Sequence, residues 1–299
     1  MKIISIGEVL WDVIGETEHL GGAPFNFAAH CKNLGHDVCF ISAVGTDLRG
    51  QRVLERMAEI GLSTSYVTRV KDQPTGLVTV TLDSTGQPAF VIHRLAAYDF
   101  PRLDKSQMDA LFHPAPDWIY YGTLQQTSPT AHKLTMQLLE LAAGAHRFYD
   151  VNLRVNSYTP ALVRECISKA TIVKLNEDEI LRVAEMLGQK GLSLEEFCRS
   201  NARDFGLEAV CVTRGAQGCA LLINDEFLIS PGYPMKVADT VGAGDSFAAA
   251  FVHGWASGWS PVQIADFANR VGALVASRPG AIPRWTVNEA LELTTRSVS

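Results

Sequence analysis

Apolar residues along the chain fall in short, β-branched runs, separated by longer stretches in which apolar and polar positions recur at helical spacing. Lys2–Ile6 predicts an opening strand, and Pro24–Leu34 a helix stopped by Gly35. Asp37–Val44 predicts a second strand, and Leu48–Ile60 a second helix followed by Gly61. From Thr64 to Phe100 the helical period disappears. Thr75–Leu82 alternates polar and apolar positions, Asp83–Gly86 holds turn residues, and Pro88–His93 predicts the returning strand. Such alternation belongs to a sheet packed on one face only. The inserted hairpin is therefore either a lid or an extension of the main sheet's edge.

After Pro101 strand and helix patterns alternate again. Trp118–Tyr121, Arg147–Val151, Thr171–Leu175 and Ala209–Thr213 predict strands. Ser128-Pro129 opens one of the helices between them, a cap followed by proline in the first turn. Gly218–Asn224 and Glu226–Ser230 predict a second hairpin. Helices are predicted over Ala243–Ser257, Pro261–Ser277 and near Val287–Thr294. Repeated strand-then-helix order implies an α/β fold, a mostly parallel sheet covered on both faces. Ligands in such sheets bind at the carboxyl ends of the strands.

Composition narrows the class. With 47% hydrophobic and 19% charged residues among 299, the chain is globular. A net charge of −6 gives no general attraction to nucleic acid or anionic lipid. The six cysteines form no CxxC pair and read as reduced core thiols of a cytoplasmic protein. No apolar run reaches the ~18 residues of a membrane helix, and early Glu8 and Asp12 make a poor signal peptide. The eight histidines show no metal-ligand spacing; His253 reads as packed, and His93 lies on the inserted hairpin.

Asp239–Phe247 (DTVGAGDSF) carries the strongest chemical signal, because it leads straight into an Ala-rich helix. Gly242, Ala243 and Gly244 let a ligand approach the backbone, and the amides of a helix N-terminus bind anions. Asp245 would repel a phosphate unless it serves as a general base, taking a hydroxyl proton beside the anion hole. The Walker phosphate loop is absent, and Phe247 stands where a dinucleotide fingerprint needs its third glycine.

The nonapeptide resembles the C-terminal signature of the ribokinase-like, or PfkB, carbohydrate kinases. Gly21–Asn26 (GGAPFN) is similar to that family's N-terminal glycine motif in its fructokinase form. Gly45-Thr46-Asp47 with Gly50, Asn176 with Glu179, Thr213–Gly215 with Gly218, and Arg278–Ala281 also match, in order, across nearly the whole chain. The resemblance implies one sugar-kinase domain over 1–299, a three-layer ribokinase-like fold, and a small β lid formed by about 10–20 and 64–100.

It also implies roles. Asp245 would be the base, and Gly242, Ala243 and Gly244 the hole for the transferring phosphoryl group. Asp12, Gly22, Asn26, Arg94 and Arg154 (in Asp150–Arg154, DVNLR) would line the sugar site, with Gly21-Gly22 as the lid hinge. Lys174, Asn176, Thr213, Gly215, Gly218 and Asn269, together with Gly242 and Gly244, would bind ATP. Asn176 and Glu179 would hold Mg²⁺ largely through water, although a helix capping box has the same spacing. Asp239 and the Val241 carbonyl, with carbonyls near Ala276–Ala281, would hold K⁺ if one is used. The implied activity is an ATP-dependent kinase of a free sugar, fructose first, with 2-keto-3-deoxygluconate, ribose or a nucleoside as alternatives. A non-catalytic sugar or nucleotide sensor on the same fold is the reading from another class. The open edges of a lid sheet suggest a homodimer through the lid, which light scattering would test.

Overall fold

The computed structural model describes residues 1–82 and 88–294; the predicted turn Asp83–Gly86 lies outside them. In chain order the first half comprises β1 (Lys2–Ile6), β2 (Leu10–Ile14), β3 (Thr17–Gly21), α1 (Ala23–Asn33), β4 (Asp37–Gly45), α2 (Leu48–Glu59), β5 (Val67–Val70), β6 (Gly76–Leu82) and β7 (Pro88–Ile92). Then come α3 (Lys105–Leu111), β8 (Trp118–Gly122), α4 (Pro129–Leu141), β9 (His146–Asp150), α5 (Pro160–Lys169), β10 (Ile172–Asn176), α6 (Glu177–Leu187) and α7 (Leu194–Phe205). The chain closes with β11 (Ala209–Thr213), β12 (Cys219–Ile223), β13 (Glu226–Ser230), α8 (Ala243–Ala256), α9 (Pro261–Ala276) and α10 (Val287–Glu292).

Nine strands form the main sheet in the order β13-β12-β11-β10-β9-β8-β1-β4-β5. Pairing is parallel from β11 to β5 and antiparallel only at the β12–β13 end. The pleat sends alternate residues to opposite faces. Ile3, Phe40, Trp118, Tyr120 and Phe148 pack toward α1, α8 and α9. Their neighbours Ile4, Cys39, Ile119, Tyr121 and Tyr149 pack toward α4, α5 and α7. Both faces are buried, as the continuous apolar runs require.

The second sheet has the order β3-β2-β6-β7. The hairpin β6–β7 therefore does not extend the main sheet. It joins β2 in parallel, and β2 pairs antiparallel with β3. Segment 64–100 does not act as one piece, because β5 pairs with the end of β4 in the main sheet. The smaller sheet is fastened to the body through α2. Glu18 on β3 bonds Arg49 and Arg52, and the Arg52 guanidinium lies 4.1 Å over the Trp11 ring of β2. Asp47 caps α2 through the Gly50 amide and also accepts from the Thr75 hydroxyl and amide, pinning the entry to β6. The GTD motif is thus accounted for by framing.

All six cysteines are buried free thiols. His253 packs between helices with its Nδ1 3.0 Å from His36 Nε2. No helix among the described residues is long and apolar enough to cross a membrane.

Candidate active site

Gly242 starts the site because its backbone is left-handed, with φ 81°. A Cβ there would stand 2.4 Å from the Ala281 carbonyl oxygen and 2.7 Å from the Ala281 Cα. Only glycine lets the 239–242 loop pass the 276–281 loop this closely. The turn leaves α8 without a side-chain cap. Among the described residues the amides of Gly242, Gly244 and Asp245 find no acceptor, so they are free for an anion. Gly242→Ala is expected to lower the melting temperature by several degrees and turnover at least tenfold, since both clashing atoms are backbone. Calorimetry and steady-state rates check this, and wild-type values in both would remove the requirement.

Asp245 sits in the first turn of α8, half-buried. Its Oδ2 accepts from Asn26 Nδ2 at 2.7 Å, which leaves Oδ1 for a substrate hydroxyl. Burial and the nearby Asp150 push its carboxyl up to about 6, against the pull of Lys174, Asn26 and Arg154. Lys174 lies under the anion hole; a Cβ on Gly244 would be 3.4 Å from its Nζ. That ammonium bonds both oxygens of Asp150 at 2.8 and 3.0 Å, and the Tyr120 hydroxyl donates to Asp150 at 2.9 Å. All three side chains are buried.

On the other side stand the end of β1 and the smaller sheet. Asp12 projects from β2, and a Cβ on Gly21 would come 2.9 Å from its Oδ2. Burial raises its pKa, opposed by Arg154 and His19. Gly22, at φ 112°, admits the Glu8 carbonyl where a Cβ would stand 2.5 Å away, and leads into α1 and Asn26. Arg154 is exposed after β9, and its charge is felt at Glu8, Asp12 and Asp245. Asp12, Asn26, Lys174, Arg154 and Asp245 therefore share one region at the carboxyl ends of the central strands.

The other predicted contact residues have these partners within the protein. Arg94 bonds Asp99 at 2.8 Å and the Leu124 carbonyl at 3.2 Å. Asn269 donates to the Ser230 and Pro231 carbonyls, tying α9 to the end of β13. Thr213 ends β11, and the turn that follows needs Gly218, whose Cβ would stand 2.1 Å from the Ser230 oxygen. Gly215 lies in that turn at φ 54° with open space around it. Asn176 and Glu179 form the capping box of α6, and Glu179 also accepts from the Leu153 amide. Both Glu179 oxygens thus hold amides, which suits a cation kept through its own water shell and not direct coordination. Asp239 accepts from the Val241 and Gly280 amides, and the Ala276 carbonyl receives the Ala238 and Asp239 amides, so the two loops are tied to each other directly.

Two residues carried no usable signal in the sequence. His30, on α1, is buried; Trp285 Nε1 can only donate, so His30 Nδ1 accepts and its Nε2–H donates to the Ala281 carbonyl at 3.0 Å. Burial lowers its pKa to about 4, so it stays neutral as a strut behind Gly242. The other is Glu8, buried beside Asp245 and Arg154. No spacing rule reaches contacts of this kind.

The chain matches the pfkB family of carbohydrate kinases over residues 2–287. A fructokinase of Klebsiella pneumoniae is 28% identical, the alignment covering 97% of this chain and 98% of that one. A fructokinase from Xylella fastidiosa, solved with bound ATP, superposes with TM-score 0.86 at 24% identity over 97% of each chain. An uncharacterized sugar kinase from Pyrococcus horikoshii in complex with ATP superposes with TM-score 0.81 at 25% identity over 98% of each. The fold, the Gly242–Asp245 turn and a match spanning nearly the whole sequence lead to one conclusion: this chain belongs to the pfkB family of carbohydrate kinases.

Proposed function

We propose that this sugar kinase transfers the γ-phosphoryl group of ATP to a hydroxymethyl group of free fructose. The observation that carries the reading is Asp245, held by Asn26 through one oxygen and set beside three free amides and a buried lysine. A base and an anion hole in contact are what hydroxyl-to-phosphoryl chemistry needs. The substrate hydroxyl donates to Asp245 Oδ1 and gives up its proton there. Its oxygen attacks the γ-phosphorus in line as the bond to the bridging oxygen of ADP breaks. The amides of Gly242, Gly244 and Asp245 receive the charge on the transferring group, and Lys174 lies beneath it. Bound Mg²⁺ would neutralise phosphate charge, and Glu179, reaching through water, is the residue suited to hold it.

Fructose rests on the GGAPFN and DVNLR segments and on relatives named fructokinases. The charges of the site agree with a neutral sugar. Glu8, Asp12 and Asp245 face it, and Arg94 is already paired with Asp99. A sugar acid such as 2-keto-3-deoxygluconate would add an anion with only Arg154 left to meet it.

Coupled ADP release with Mg·ATP, with and without K⁺, tests this across fructose, ribose, glucose, tagatose, 2-keto-3-deoxygluconate, adenosine and a blank without sugar. A kcat/KM for fructose at least a hundredfold above the rest is expected. Strong turnover of another sugar would keep the mechanism and replace the substrate. ATP binding without turnover of any sugar would favour the sensor.

A further inference from the structure

Glu8 follows β1, which lies between β8 and β4 in the main sheet, and is 4% exposed. Its Oε2 has no hydrogen-bond partner among the described residues. A buried carboxylate oxygen left unpaired is costly, so such atoms in a binding site call for a ligand to complete them. The charged and polar groups near it come from several elements: the Ala23 amide at the start of α1, Arg154 after β9, Asp245 on α8, Tyr98 in the 3₁₀ turn Ala97–Asp99, and Tyr120 on β8. The Tyr98 hydroxyl and Asn26 Oδ1 are also buried without a partner. One donor-acceptor hydroxyl beside Glu8 and two acceptors beside Asp245 thus remain open, a complement suited to a neutral polyol, whose hydroxyls both donate and accept.

We infer that Glu8 is a substrate-contact residue, its free carboxylate oxygen accepting a hydrogen bond from a sugar hydroxyl other than the one that reacts. The inference rests on the sugar-kinase reading above and adds to it a residue that reads the sugar's neutral face. Burial pushes the Glu8 carboxyl up to about 7 with Asp245 adding to the rise, while Arg154 and the Ala23 amide oppose it. A hydroxyl donor would hold the charged form in the bound state.

The test pairs Glu8→Ala and Glu8→Gln with the preferred sugar and its mono-deoxy analogues, reading kcat, sugar KM, ATP Kd and melting temperature. In the wild type one analogue should lose roughly 10- to 100-fold in kcat/KM. Glu8→Ala should weaken the parent sugar by a similar factor through KM, leave ATP Kd unchanged, and show no further loss with that analogue. Glu8→Gln, which keeps an acceptor of the same size, should recover part of the affinity, and Glu8→Leu, which fills the space without an acceptor, carries the same cycle if Glu8→Ala does not fold. Equal penalties for every analogue in wild type and variants would overturn the contact while leaving the kinase intact. A wild type inactive on every sugar would overturn the kinase reading, and this inference with it.

Discussion

Asp245→Asn should lower turnover at least a hundredfold while ATP and sugar affinities stay within a few-fold. The substitution keeps the size of the side chain and an oxygen for Asn26 Nδ2 to donate to, so the constellation survives. What is lost is the capacity to take a proton, which is typically worth ~10²–10⁴ in rate. The pH profile carries the same assignment. Burial holds the carboxyl near 6, and only its deprotonated form can act. Wild-type kcat/KM should therefore fall as pH drops through about 6, approaching tenfold per unit below it. The residual activity of the variant should lack that limb. Near-normal turnover in the variant would remove Asp245 from the role of base.

Lys174→Met should be the most damaging change to stability among the site residues. The ammonium and Asp150 are both almost wholly buried, and Tyr120 adds a third member. Burial alone would lower the Lys174 pKa; the carboxylates of Asp150, Asp245 and Glu179 together outweigh it and raise the pKa above the ordinary value. Removing one partner of such a pair strands the other charge in the core, at a cost of about 3–5 kcal/mol. For a chain of this length that is roughly 5–8 °C in melting temperature. Turnover should fall as well, because the lysine lowers the Asp245 pKa and underlies the anion hole. Adding Asp150→Asn to Lys174→Met should restore part of the melting temperature. A single variant as stable as the wild type would show that the pair contributes nothing net.

The sequence was most readable where one local rule decides the outcome. Lys2–Ile6, Ala209–Thr213 and Glu226–Ser230 appear with the expected bounds, because apolar runs closed by turn residues leave few alternatives. The 239–247 turn was legible for the same reason: three small residues before an apolar helix make a particular backbone. The strands β2 and β3 escaped as strands because five-residue segments across Gly15 show too few alternations to count. Strand β5 went to the main sheet because its partner, the end of β4, is set by topology. Asn176 and Glu179 show a different limit. One spacing serves both a capping box and an ion held through water, and only the occupied oxygens tell which partners are present. Arg94, expected at the sugar from its place on the returning lid strand, and Asn269, expected at the nucleotide, have protein partners at Asp99 and the β13 end that no motif spacing foretells.

Helix α1 meets the C-terminal quarter of the chain through contacts that are very distant in sequence. Asn26 reaches Asp245 across 219 residues, and His30 reaches Ala281 and Trp285 across 251 and 255. Contacts of such separation carry a large loop-closure cost and form slowly. During refolding, activity should thus lag behind the return of secondary structure, since the base acquires its orientation at the last docking event.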